Sequence, residues 1–308
     1  MEKALSTAKK VWHVFRDAGI HWNKSGPWRQ SAILAYYAIF SLPALLLIVI
    51  VSTGYFFGEE AVSRELSERI ADTIGKETAR TVENMIAGAA DPGSSTIAML
   101  VGIGMLLFGA TTLFYHLQLS LNKVWGVLPK PRKAIVKYLK DRLFSFGLVL
   151  VIGFLLLLSM LANSLLAIFS DWISSHWPGI RMPMVIFMNY GISLLVTTTL
   201  FALMFKFLPD AIIRWRSVWI GAFLTALLFA LGQYGLRIYF STTDPASIYG
   251  AAGTLILIMI WASYMAMIVL YGAEFTRHWA EEFGHGMRPK GNAMLIEELD
   301  HPESFVNE

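Results

Sequence analysis

The chain has 308 residues, 56% of them hydrophobic and only 15% charged, and a mean hydropathy of +0.55, an apolar share above that of ordinary soluble domains. A formal charge of +3 is too small to argue for nucleic acid, and the absence of cysteine excludes disulfides, zinc–thiolate sites, iron–sulfur clusters and cysteine nucleophiles. The length would allow two soluble domains, but the apolar residues are gathered into long blocks, which favours one all-α bundle in a membrane.

Residues 1–30 form the first unit. Leu5, Ala8, Trp12, Phe15 and Ala18 recur at helical spacing, with Lys3, Lys9, Lys10 and Arg16 on other faces. The pattern predicts an amphipathic helix lying on anionic lipid, with Lys9 and Lys10 as headgroup contacts; the same pattern also suits a helix that docks on a partner protein. The first apolar block is too long and too far from the N-terminus for a cleaved signal peptide.

A membrane domain over 31–276 follows, built on blocks long enough to span a hydrocarbon core of about 30 Å. They run approximately 31–57, 96–119, 143–169, 184–207, 218–240 and 251–275. Block one carries Tyr36, Tyr37 and Ser41 before Pro43; a proline there removes one amide bond and crowds the carbonyl of Ile39, predicting a kink or local opening that Ser41 can repair. The loop 58–95 holds an apolar stripe of Val62, Leu66, Ile70 and Ile74 with the pair Glu65/Arg69 at i,i+4 spacing, and after Gly75 a second stripe of Val82, Met85, Ile86 and Ala89. It reads as one broken helix or two short ones over the outer mouth, serving as a fixed cap or as a lid. The loop 122–142 is strongly basic, and Lys130, Arg132, Lys133, Lys137 and Lys140 suit anionic lipid.

Lysine plus arginine number six before the first block, four in the first loop, seven in 122–142, one in 170–183, three around 206–216, none in 241–250 and three in the tail. The alternation predicts six spans with both ends in the cytoplasm. The tail, 277–308, with its glycines, Pro289 and a late acidic cluster, reads as largely disordered.

Polar residues inside the spans are the site candidates, since they are costly in lipid unless they face the bundle interior. In the fifth block Ala222, Ala226 and Ala230 make a small-residue stripe that Gln233 and Arg237 continue. His116 shares a face with Gly102, Gly109 and Thr112 in the second block, and Ser263 and Glu274 align in the sixth. With Tyr37, Ser41 and Pro43 these residues define a candidate substrate path among spans one, two, five and six. Arg237 either snorkels to the interface or meets Asp244, a lipid phosphate or an anionic substrate group. Glu274 lies at the other end, too deep to pair with it.

Several segments are specific: LAYYAIFSLPALLL at 34–47, LNKVWGV at 121–127, LPD at 208–210 and YGAAGTLILIMIWASYMAMIVLYGAEF at 249–275. On these the chain resembles the YihY/BrkB family of bacterial inner-membrane proteins. The resemblance implies six membrane helices and marks Tyr37, Ser41, Pro43, Trp125, Tyr249, Gly250, Gly253, Trp261, Gly272 and Glu274 as motif positions without assigning roles. Some members carry a ribonuclease BN label, others names for virulence or serum resistance. Metal-dependent RNA hydrolysis needs clustered His and Asp ligands, whereas His13, His21, His116, His176, His278, His285 and His301 are scattered along the chain. No cofactor motif or ATP-binding loop is present and no nucleic-acid partner is expected. The sequence therefore points to a non-enzymatic protein with membrane lipids as partners. It is read as a transporter or translocator of a lipid, amphiphile or small solute, or alternatively as a scaffold with an envelope protein partner; the oligomeric state is left open.

Overall fold

A computed structural model describes residues 2–90, 112–129, 181–243, 253–284, 286–291 and 293–296. The block at 143–169, most of the block at 96–119, Asp244 and the basic residues Lys130, Arg132, Lys133, Lys137 and Lys140 lie outside them. The described chain is helical: α1 (Glu2–Lys24), α2 (Pro27–Phe57), α3 (Glu59–Ile74), α4 (Lys76–Ala90), a helix over 112–124 taken as α5, α6 (Arg181–Phe207), α7 (Trp215–Thr243) and α8 (Gly253–Phe283).

Three described helices have stretches long and apolar enough to cross a membrane: Tyr190–Phe207 in α6, Trp215–Phe240 in α7 and Gly253–Phe283, the whole of α8. At 31 residues, α8 is about 46 Å long, more than a hydrocarbon core requires. Burial within these apolar stretches is graded, 22% in α6, 33% in α7 and 56% in α8. A helix that is apolar on the faces it leaves exposed needs lipid there, so Leu195, Phe223, Leu227, Leu231 and Ile238, all exposed, belong against acyl chains. The central helix is α8, which packs against α1, α2 and α7.

Close approach of α7 and α8 rests on a reciprocal pair of glycines and threonines. A side chain on Gly221 would place its Cβ 1.7 Å from Thr276 Oγ1, and one on Gly272 would fall 1.9 Å from Thr225 Oγ1. Thr225 and Thr276 in turn donate their hydroxyls to the carbonyls of Gly221 and Gly272, at 2.7 and 2.6 Å, so the polar atoms are satisfied inside the contact. The alanine stripe faces elsewhere: Ala222 and Ala226 are buried, and Ala226 and Ala230 look toward α6.

The break in the first loop falls at Gly75, whose φ of 96° a side-chain-bearing residue rarely adopts. Both resulting helices have an inward stripe, and Val82 of α4 and Ile70 of α3 join Ile39, Leu42 and Leu46 of α2, Phe240 of α7 and Ile258 and Trp261 of α8 in one apolar cluster. Glu65 and Arg69 form the expected ion pair at 2.8 Å. The α3–α4 layer thus packs against the middle of α2, the C-terminal end of α7 and the N-terminal part of α8. Helix α2 runs through position 43, and Ser41 turns its hydroxyl back to the Ala38 carbonyl at 3.2 Å.

Two parts of the chain depart from the sequence reading. Helix α1 buries Val14 and Ala18 against α8, with Phe15 4.7 Å from Phe275 between ring centroids, and Lys10 forms an ion pair with Glu282 at 2.8 Å. Its apolar face therefore docks on the chain's own last helix, while Trp12 stays exposed beside Lys9. The tail is also ordered as far as residue 296. Residues 277–283 continue α8, and four short strands pair antiparallel, β1 (Val127–Pro129) with β4 (Ala293–Leu295) and β2 (Ala211–Ile212) with β3 (Arg288–Pro289). Gly286, at positive φ, leads into β3 and Gly291 turns the chain from β3 to β4, while Pro289 pairs with Ala211 inside β3.

Candidate functional site

The path residues do not converge on one cavity. Tyr37 of α2 stacks on His116 of α5, with centroids 4.2 Å apart and planes 13° from parallel. Ser263 of α8 donates to Ser31 of α2 at 3.2 Å, and Ser31 and Ser41 are fully buried. These contacts join α2 to its neighbours by side-chain packing. Gln233 and Arg237 lie elsewhere, in a cleft of about 220 Å³ between α6 and α7, lined by Tyr190, Ser193, Leu194 and Thr197 of α6 and by Ala226, Phe229, Ala230, Gln233, Tyr234 and Arg237 of α7. Because α7 and α8 run antiparallel in the register set by their glycines, Glu274 and Arg237 are separated by about 21 Å along the helices. The two charges belong to different sites.

The cleft combines two chemistries. Leu194 and Phe229 supply apolar walls, while Ser193, Thr197, Gln233 and the phenols of Tyr190 and Tyr234 supply hydrogen-bonding groups, with the Arg237 guanidinium at the C-terminal end of α7. Arg237, Tyr190 and Tyr234 are exposed. A guanidinium presents several donors in a rigid plane, the geometry that phosphate and carboxylate oxygens match.

Around the opposite end of α7 the loops are held together by polar contacts that the sequence did not single out. Asn122 and Asp210, 88 residues apart and both buried, exchange two bonds: Asn122 Nδ2 donates to Asp210 Oδ2 at 3.0 Å and the Asp210 amide donates to Asn122 Oδ1 at 2.7 Å. Lys290 donates its ammonium to the carbonyls of Phe207 and Pro209 at the end of α6, at 3.1 and 2.6 Å. Arg277 Nη1 reaches the Val124 carbonyl at 2.8 Å, and Lys123 reaches the Ser25 carbonyl at 2.9 Å. The LNKVWGV and LPD segments are thereby pinned to each other and to the tail. Both are loop motifs whose partners lie far away in sequence, so neither spacing nor periodicity signals the pairing.

Glu274 stands in the same region and is buried, 3% exposed. His278, one turn on, brings its Nε2 to 4.0 Å from the Glu274 carboxylate. That i,i+4 pair was legible in the sequence as a spacing, but His278 was read only as one of the scattered histidines. Among the described residues no three His, Asp or Glu stand together as a metal site.

Long apolar helices with outward apolar faces, joined by polar loop contacts at one end, define an integral membrane protein. The family model for virulence factor BrkB matches residues 23–295, and the chain belongs to that family, as the sequence resemblance implied. A membrane protein of Saccharophagus degradans is 27% identical over 258 residues, covering 84% of this chain and 57% of the relative. One from Pseudoalteromonas atlantica is 26% identical over 92% of this chain and 90% of the relative. The membrane protein YihY of Salmonella typhimurium is 28% identical over 66% of this chain and 64% of its own length. The chain thus spans little more than half of some relatives and nearly all of others. No solved structure matches it.

Proposed function

We propose that this protein is a non-enzymatic translocator of an anionic amphiphile in the bacterial inner membrane, with the α6–α7 cleft as the site that receives it. The observation that carries the reading is the composition of that cleft: a cationic, hydrogen-bonding rim at Arg237, Gln233 and Tyr190 beside the apolar walls of Leu194 and Phe229. A headgroup with a phosphate or carboxylate fits the rim and an acyl chain fits the wall. Helices α2, α6, α7 and α8 count as four of six spans in this reading, and the alternating Lys/Arg excess places both termini in the cytoplasm. Lys9 and the 122–142 loop then face anionic inner-leaflet lipid. The scaffold alternative draws on α3–α4, whose exposed Glu59, Glu60, Arg64, Glu68, Lys76 and Arg80 would form its docking surface.

Reconstitution tests the choice. Purified protein in liposomes is expected to move a fluorescent anionic phospholipid between leaflets faster than empty liposomes, and Arg237→Ala is expected to slow it. Wild-type liposomes that match protein-free ones for every lipid and solute tried would end the translocator reading. Orientation is read separately in the cysteine-free chain, where Asn84→Cys should label from outside the cell and Arg216→Cys should not.

A further inference from the structure

Glu274 and His278 lie one turn apart on α8 beneath the folded-back end of α1, and their facing atoms do not satisfy each other. Among the described residues Glu274 Oε2 and His278 Nε2 are both enclosed and without a hydrogen-bond partner, 4.0 Å from one another. On the far side of the ring, His278 Nδ1 is 3.3 Å from Glu281 Oε2, a carboxylate that also accepts from Arg277 Nε at 2.9 Å. A carboxylate only accepts, so Nδ1 presents its hydrogen to Glu281, and whenever the imidazole is neutral its Nε2 turns a lone pair toward Glu274. Two lone pairs confront each other in an enclosed space. A single added proton resolves the conflict, bonded to Glu274 Oε2 and donated to His278 Nε2 after a small side-chain rotation.

The surroundings leave that role to the pair. Arg277, the nearest cation on α8, is engaged by Glu281 and by the Val124 carbonyl. From α1, His21 lies 4.8 Å from the His278 ring, with Lys24 beyond it, and Trp22 packs edge-on to Tyr271. Lys10 is held by Glu282, Asp17 by Arg16, and Lys123 of α5 is spent on the Ser25 carbonyl. Helix α7 meets this stretch of α8 with Gly221 and Thr225. Burying an ionised carboxylate without a matched cation is costly, whereas the protonated pair is neutral and fully bonded.

We propose that Glu274 and His278 form a proton-binding site and that the proton is the ion that drives this protein. Binding takes one proton from water onto Glu274 Oε2, leaving the pair uncharged; release returns it to water and restores the carboxylate. The driving role rests on the translocator reading, whereas the binding site does not.

Two measurements keep the halves apart. In pH-difference infrared spectra of the lipid-embedded protein with isotope-labelled glutamate, wild type is expected to show the C=O stretch of a protonated glutamic acid that disappears in Glu274→Gln. In His278→Gln the same band should persist with a displaced pH midpoint. A spectrum unchanged by Glu274→Gln, or an undisplaced midpoint in His278→Gln, overturns the site, and the second variant serves even if the first fails to fold. In proteoliposomes, wild-type flux of a labelled anionic phospholipid should respond to an imposed pH gradient, and Glu274→Gln should lose the response. Wild-type flux indifferent to the gradient overturns the driving role alone. If wild type moves nothing, the translocator and the driving role fall together, and the infrared band still decides whether the site exists.

Discussion

The two halves of α7 are built on opposite principles. Its N-terminal half is locked: Gly221 and Thr225 admit α8 to near backbone contact, and the loop leading into it is tied through Asp210 to Asn122. Its C-terminal half still meets α8 closely at Gly232, against Tyr264, but is open toward α6, where Ala230, Gln233 and Arg237 face a cleft. One sequence feature, small residues at helical spacing, serves both halves, but to different ends. Glycine removes the distance between helices, whereas an alanine facing a gap leaves room that something else can fill. A protein that holds its loops rigid at one end while leaving a groove at the other has the asymmetry expected of a site that opens to the membrane.

Substitutions can break that contrast. The largest effect is expected from Gly221→Ala, because the new Cβ meets Thr276 at a distance no side chain tolerates; thermal or denaturant unfolding in micelles should show a loss of about 3 kcal/mol. Asn122→Ala should cost about 2 kcal/mol, since it removes both bonds to a buried aspartate, and limited proteolysis should then cut the 208–214 turn faster. Acidification should weaken the α1 dock by a smaller amount. Partial burial first, then the nearby cations Arg277 and Lys24, hold His21 below its ordinary value of 6.5. The docked helix thus binds fewer protons than the free one, so docking is complete above that value and is lost progressively as the pH falls below it. Hydrogen exchange across 11–22, compared above and below pH 6.5, checks the sign. The smallest effect on stability belongs to Ala230→Phe, which points into open space and should stay within about 0.5 kcal/mol while reducing lipid movement by filling the cleft. A large loss of stability there would show that the cleft is not open.

What could be read beforehand divides along the same line. The apolar blocks of α6, α7 and α8, the two helices after α2 and their break at Gly75 all follow from local signals: block length, stripe spacing and a residue free to take positive φ. The back-bonded Ser41 was equally local. The Asn122–Asp210 clasp, the pairing of β1 with β4 and the docking of α1 on α8 join segments about 90 to 270 residues apart, and a single sequence carries no record of such distances. Strands of two or three residues also have too few positions for alternation to show. The site suffered from the same limit. Helical direction puts Gln233 and Arg237 on one face, and both line the α6–α7 cleft, but it cannot tell which neighbour that face meets, and Glu274 lies buried elsewhere on α8.

The docking of α1 also bears on how the chain is made. Helix α1 leaves the ribosome first and α8 last among the described helices, yet Val14, Phe15, Ala18 and Trp22 find their apolar partners on α8 and Ser31 of α2 finds Ser263 there. Until α8 is inserted, α1 must wait at the bilayer with its aromatic face unpaired, held by lipid or by a chaperone. Insertion of α8 is then the event that gives α1 its partner, and a chain stopped short of α8 would lack that docking face.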